Sequence, residues 1–163
     1  MALFLSTYIN KVDKKGRVSV PASFRSALAG QSFAGIVAFR SYKYPALDAF
    51  GADRMEQLSA SVDELALFSE QQDDLAATLF ADAHQIPFDT DGRVVLPEPL
   101  VRHAGITDRA AFVGRGPSFQ IWEPEAFHKF QAGARQRVGS AGVTLKLRPT
   151  SGGAGGPTPG EKP

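Results

Sequence analysis

Apolar positions in this chain fall mostly into short alternating runs, and the runs come in two sets of the same order. In the first set, 8–12 and 18–20 read as strands, carrying the β-branched and aromatic residues that strands favour. Pro21 ends the second of these, because proline cannot donate to a ladder, and it stands where a helix can begin. A short helix over 22–28 follows, then strands over 36–40 and 46–50. The second set gives strands over 84–88 and 94–96, Pro97, a helix over 98–104 stopped by Gly105, and strands over 111–115 and 119–122. Between the sets, 52–58 and 61–83 read as helical. Leu65, Phe68, Leu75, Leu79 and Phe80 approximate one face there, and Asp and Glu the other. After Phe130 the pattern fails, and the Gly- and Pro-rich SGGAGGPTPGEKP reads as part of an unstructured tail. The expected class is mainly β with short helices (α+β). It comprises a module over 7–54, a helical connection over 55–82, a second module over 83–126 and a disordered tail over 131–163.

The two sets are copies. DKKGRVSVP from Asp13 and DTDGRVVLP from Asp89 share the pattern D-x-x-G-R-V-x-[VL]-P, 76 residues apart. In that register Phe24 aligns with Leu100 and Ile36-Val37 with Phe112-Val113. After a shorter loop in the second copy, 46–50 aligns with 118–122. Asp13 and Asp89 suit the first position of a type I turn, where a carboxylate accepts hydrogen bonds from following backbone N–H groups. Gly16 and Gly92 supply a position expected to need positive φ. A module of roughly 50 residues buries little surface, so the copies are expected to lean on each other or on neighbouring subunits.

Charge changes this picture more than composition does. The formal net charge is only +1, which argues against a nucleic-acid partner until its distribution is seen. From Met1 to Gly30 stand Lys11, Lys14, Lys15, Arg17 and Arg25 against Asp13 alone, whereas 53–82 carries eight acids and one base, Arg54. A basic face beside an acidic belt can still focus field on phosphates. The hydrophobic share of 43% suits a packed core. The absence of cysteine excludes disulfides, thiolate metal sites and cysteine nucleophiles. No run of about 18 apolar residues occurs, and the start MALFLSTYINK lacks the pattern of a secretory signal, so a cytoplasmic protein without a membrane partner is expected.

A lone D-x-x-G-R turn is accounted for by backbone geometry, its arginine solvated or paired with the aspartate. Repetition shifts the balance: Asp, Gly and Pro recur for backbone reasons, but a turn does not require arginine. Arg17 and Arg93 are also the side chains best suited to fork onto phosphate or guanine. The paired motifs, their spacing and the closing FQIWEPEAF resemble the MraZ family, bacterial regulators made of two AbrB-like (swapped-hairpin) modules, over Met1 to about Phe130. The resemblance implies a double-split β-barrel, a homo-oligomeric ring, and association with the nucleoid. It also implies binding of double-stranded DNA at repeats upstream of the division and cell-wall gene cluster that includes the chain's own gene. In that family the D-x-x-x-R signature carries DNA contact. By position, Arg17 and Arg93 would reach the nucleic acid, and Asp13, Gly16, Asp89 and Gly92 would shape the turns. Lys11, Lys14 and Lys15 would add phosphate contacts, making affinity salt-dependent. Asp91 replaces Lys15 in the second copy and would repel phosphate, so the first copy is expected to contribute more affinity. The connection 40–45 and the strand ALDAF depart from the more apolar family version.

Enzyme chemistry finds no foothold. His84, His103 and His128 share no metal-ligand spacing, the pairs Asp63-Glu64 and Asp73-Asp74 sit in the acidic helical stretch, and Gly114-Arg115-Gly116-Pro117 lacks the context of a phosphate loop. Trp122 and Phe119 alternate as core positions of a strand. No cofactor and no small-molecule substrate are expected. Two other functions stay open: an AbrB-like antitoxin, a class that usually has one module and a toxin-gripping tail, and an assembly protein whose repeat serves only oligomerisation.

Overall fold

The computed structural model describes residues 2–149. A first compact unit runs through Phe130 and a second starts at Gln131. Both sequence repeats lie in the first unit, and they are interleaved. The first copy supplies β1 (Thr7–Lys11), β2 (Arg17–Ser19), α1 (Ala22–Ala27), β3 (Gly35–Arg40) and β4 (Ala46–Phe50). The second supplies β5 (His84–Pro87), β6 (Arg93–Val95), α4 (Glu98–Ala104), β7 (Arg109–Gly114) and β8 (Phe119–Trp122). Equivalent strands pair with each other, β2 with β6 and β4 with β8, all antiparallel. The first strand of each copy crosses over, β1 onto β7 and β5 onto β3. The result is one six-stranded sheet of order β1-β7-β8-β4-β3-β5 and a two-stranded ribbon β2-β6.

This exchange answers the size problem. Each copy contributes one wall of a shared core, in which Phe4, Val18, Val20, Phe24, Ile36 and Leu47 from the first meet Val94, Leu96, Leu100, Phe112, Phe119 and Ile121 from the second. The aligned positions Phe24 and Leu100 are both buried, as are Ile36 and Phe112. Phe24 lies at the centre, its ring 5.2 Å from Phe4, 5.6 Å from Tyr8 and 5.1 Å from Phe119. Mainly antiparallel sheet with short helices is the class expected from the pattern. The sheet itself is open, not closed: β1 and β5 are its two edges, so these pairings do not complete a barrel.

Two helical expectations are corrected. The stretch 61–83 is not one helix: α2 (Ala52–Asp63) ends, and α3 (Glu70–Leu75) starts afresh and runs into a π-helical turn, Ala76–Phe80. The cause is local capping. Ser69 Oγ accepts from the Gln72 backbone N–H, Gln72 Oε1 accepts from the Phe68 N–H, and Phe68 takes φ 61°. That turn throws Phe68 outward, 85% exposed, so it does not belong to a packed face; Leu79 does pack, with Met55 and Leu58, on a small core of Val37, Phe39 and Phe50. The tail expected from Gln131 also starts too early. The last helix, α5 (Pro124–Ala141), continues for eleven residues beyond Phe130. QAGARQR is rich in the helix formers Ala, Gln and Arg, and the helix stops only at Gly142, which takes φ 61°. Residues 142–149 have no regular secondary structure, and the rest of the expected tail lies outside the described residues. No helix among the described residues is long and apolar enough to cross a membrane.

Candidate nucleic-acid interface

The repeated turns are built alike, atom for atom. Asp13 Oδ1 accepts from the backbone N–H of Lys15 and of Arg17, both at 2.9 Å, while Oδ2 accepts from Arg17 Nε at 2.6 Å. Asp89 Oδ1 accepts from the N–H of Asp91 at 2.8 Å and of Arg93 at 2.9 Å, and its Oδ2 from Arg93 Nε at 3.0 Å. One carboxylate therefore folds the turn through the backbone and holds the arginine that follows it. Gly16 and Gly92 close the turns at φ 82° and 74°, a region costly for any residue with a Cβ. Each glycine carbonyl also accepts from the other copy: Leu96 N–H donates to Gly16 at 2.9 Å and Val20 N–H to Gly92 at 3.1 Å. The turns are thus locked to each other.

These bonds hold both aspartates below the ordinary carboxylate range. The backbone N–H of the arginine is the largest cause, opposed by partial desolvation and reinforced by the guanidinium and the second N–H. Depressed carboxylates stabilise the fold above their unfolded pKa and lose that contribution only as pH falls through the folded value. Carboxyl carbon NMR titration should therefore show Asp13 and Asp89 protonating below the ordinary aspartate range. An ordinary aspartate pKa at either position would count against this geometry.

The ribbon then orients the arginines. Pairing sets Arg17 opposite Val95 and Arg93 opposite Ser19, so all four residues share one face. Val18 and Val94, each 1% exposed, point the other way into the core. Both turn arginines thus lie on one outward face, separated by about 8 Å of ribbon. Lys14 and Lys15 are exposed at the tip of the first turn, and Lys11 lies opposite Arg109 at the end of the β1–β7 ladder. The tip of the second turn carries Thr90 and Asp91 instead, and Asp91 Oδ2 accepts from Arg93 Nη2 at 3.3 Å. The two copies present their arginines differently: Arg93 faces two acids, whereas Arg17 faces one acid with lysines beside it.

Arg25 and Arg109 join this surface without having been singled out for it in the sequence. Arg25 reaches from α1 over the backbone of Gly92, its Nη1 3.5 Å from the Asp91 and Gly92 carbonyls. The signal was its misfit in the repeat, where the aligned position is Val101. The other polar candidates are structural. His103 Nε2 sits 3.1 Å from the Tyr44 carbonyl, and His84 Nδ1 3.0 Å from the Asp82 carbonyl. Asp82 is drawn up by burial but brought down further by hydrogen bonds from Arg40, which it pairs at 2.8 Å. Among the described residues no cluster of three or more His, Cys, Asp or Glu could hold a metal ion.

Fold and site together define an α+β protein of two strand-exchanged repeats, with a two-stranded ribbon bearing two matched arginine turns. A family model described as "MraZ protein, putative antitoxin-like" matches residues 79–141, from the approach to the second turn to the end of α5. The chain is 45% identical over 144 residues to the transcriptional regulator MraZ of Pelagibacter ubique, covering 88% of this chain and 93% of that one. It is 45% identical over 140 residues to the Gluconacetobacter diazotrophicus protein of the same name, covering 84% and 89%. To that of Rickettsia canadensis it is 40% identical over 146 residues, covering 90% and 98%. The chain belongs to the MraZ family. Its class is that of transcriptional regulators, not of enzymes.

Proposed function

We propose that this chain is a sequence-specific DNA-binding regulator that lays the outer face of the β2–β6 ribbon against promoter DNA. The observation that carries the reading is the placement of Arg17 and Arg93 on one outward face by the register of a two-stranded ribbon. A B-DNA major groove about 12 Å wide admits such a ribbon, and an arginine reads guanine O6 and N7 through a bidentate fork. Asp13 and Asp89 hold the guanidinium groups through Nε. This positions each arginine with its terminal nitrogens as the reaching edge, one of which, Arg93 Nη2, also donates to Asp91. Lys11, Lys14 and Lys15, with Arg25 and Arg109, supply phosphate contacts that fix register without reading sequence.

One ribbon offers few base contacts, so tight binding requires several subunits on tandem sites. A homo-oligomer, ring-shaped by family resemblance, meets that need when repeat spacing matches subunit spacing. The operator proposed is the set of repeats upstream of the division and cell-wall gene cluster, the chain's own gene included, which places the protein in the cytoplasm on the nucleoid. No cofactor is needed for this chemistry.

The test is a gel-shift titration of that upstream DNA against a scrambled duplex at two salt concentrations, with wild type and Arg17→Ala/Arg93→Ala compared and size-exclusion run on both. Tighter binding to the upstream DNA, weakened by salt and lost in a double variant of unchanged size, is the expected result. A properly assembled wild type that ignores both duplexes would leave the assembly reading in its place. A wild type that binds DNA only together with a co-expressed toxin would favour the antitoxin reading.

A further inference from the structure

The charge of this chain is divided unequally, and the division falls near the start of α5. Twelve basic and sixteen acidic residues precede Ala126, a balance of −4, whereas six basic residues and one acid follow it, a balance of +5. The part of the molecule that carries the arginine ribbon is therefore net acidic, and would be repelled by a polyanion at distances where only its total charge is felt. All of the compensating charge lies after Glu125, and no further acid occurs until Glu161. In the described part of that region, Lys129, Arg135, Arg137, Lys146 and Arg148 are exposed, the first three on α5 and the last two on the irregular segment after Gly142.

We infer that the second half of α5 and the segment through Arg148 form a nucleic-acid-binding arm that contacts phosphates without regard to sequence. This rests on the DNA-binding reading above and adds to it a second, separate contact surface. Cations free of interspersed acids favour counterion release, since each neutralised phosphate contributes whatever the base. The helical part also lacks what an anionic membrane would select. Its residues after Phe130 are Gln, Ala, Gly, Ser and Arg with a single Val138, so no broad apolar face exists to enter a bilayer. The exposed Val143, Leu145 and Leu147 are the feature that would favour lipid, and the test includes that outcome. Division of labour follows: the ribbon discriminates between sequences, and the arm raises affinity for all of them.

The experiment measures the affinity of the full-length chain by fluorescence anisotropy, on the upstream duplex and on a scrambled one, between 50 and 200 mM salt. The variants are Arg135→Gln/Arg137→Gln/Lys146→Gln/Arg148→Gln, its charge-keeping counterpart with Lys at 135, 137 and 148, and Arg17→Ala/Arg93→Ala. Four phosphate contacts carry a salt slope of about 3.6, so the wild type's advantage over the glutamine variant should shrink on the order of a hundredfold across that range. The loss should be equal on both duplexes, leaving their affinity ratio unchanged, and the lysine variant should behave as wild type. Arg17→Ala/Arg93→Ala should do the reverse, erasing the affinity ratio between the two duplexes. A glutamine variant with wild-type affinity and slope overturns the arm alone. A wild type that binds neither duplex overturns the DNA reading and the arm with it. Tighter binding to phosphatidylglycerol vesicles than to the scrambled duplex, at equal salt, assigns the arm to lipid and overturns it as proposed.

Discussion

Phe24→Ala is expected to destabilise the first unit by about 3–5 kcal/mol, the cost of truncating a fully buried phenylalanine whose surroundings cannot collapse. The side chain is 1% exposed and meets four aromatic rings from both repeats: Phe4, Tyr8, Phe112 and Phe119. Three of the contacts are edge-on, a geometry that contributes beyond the area buried. Phe24 lies on α1, Phe112 on β7, Phe119 on β8 and Phe4 in an isolated bridge to Gly116 ahead of β1, and removing the ring between them opens a cavity that no single rotamer change fills. Against a typical total of about 5–15 kcal/mol, such a loss should lower the melting temperature by roughly 10–20 °C. Phe24→Leu should be far milder, about 1–1.5 kcal/mol, because a leucine already occupies the aligned position of the second copy, Leu100. Differential scanning calorimetry of the three proteins decides the matter. An alanine variant melting within two or three degrees of wild type would mean that the shared core is not what joins the repeats.

That joining was the part of the fold hardest to read from the chain. Element positions were legible because a period of two and a Pro-terminated run are local signals: 46–50, 98–104 and 119–122 are the spans of β4, α4 and β8. Which strand pairs with which is not local. Nothing in Thr7–Lys11 marks β7 as its partner rather than β3, because both copies offer a similar apolar strand and only the global arrangement chooses. The helical errors have the opposite cause, since the signals were present but outweighed. Ser69-x-x-Gln72 is a capping box within a stretch whose apolar spacing suggested an unbroken helix, and helix-forming Ala, Gln and Arg continue past Phe130 into a region whose later Gly and Pro dominated the reading. At the site, the turn geometry followed from Asp, Gly and Arg alone. The approach of Arg25 to Gly92 did not, for it depends on packing 67 residues away in sequence.

The two turns should not contribute equally to DNA binding. Arg17→Ala is expected to weaken binding to the upstream duplex ten- to a hundredfold, the range of about 1–3 kcal/mol for one bidentate base contact. Arg93→Ala should cost less. The exposed Arg93–Asp91 pair is not itself the obstacle, because the carboxylate is 71% exposed and ion pairs of this kind are weak in water. The obstacle is the charge that Asp91 brings to the phosphates when Arg93 lets go of it, at the position where the first turn has Lys15. Asp91→Lys removes one repelling charge and adds an attracting one, so affinity should rise and the salt slope should steepen by about 1–2. In that background Arg93→Ala should become as costly as Arg17→Ala in wild type. Anisotropy titrations of the five proteins on one duplex measure all of this. If Asp91→Lys weakens binding, or if Arg93→Ala costs more than Arg17→Ala, the second turn faces DNA in a way that the charge around it does not govern.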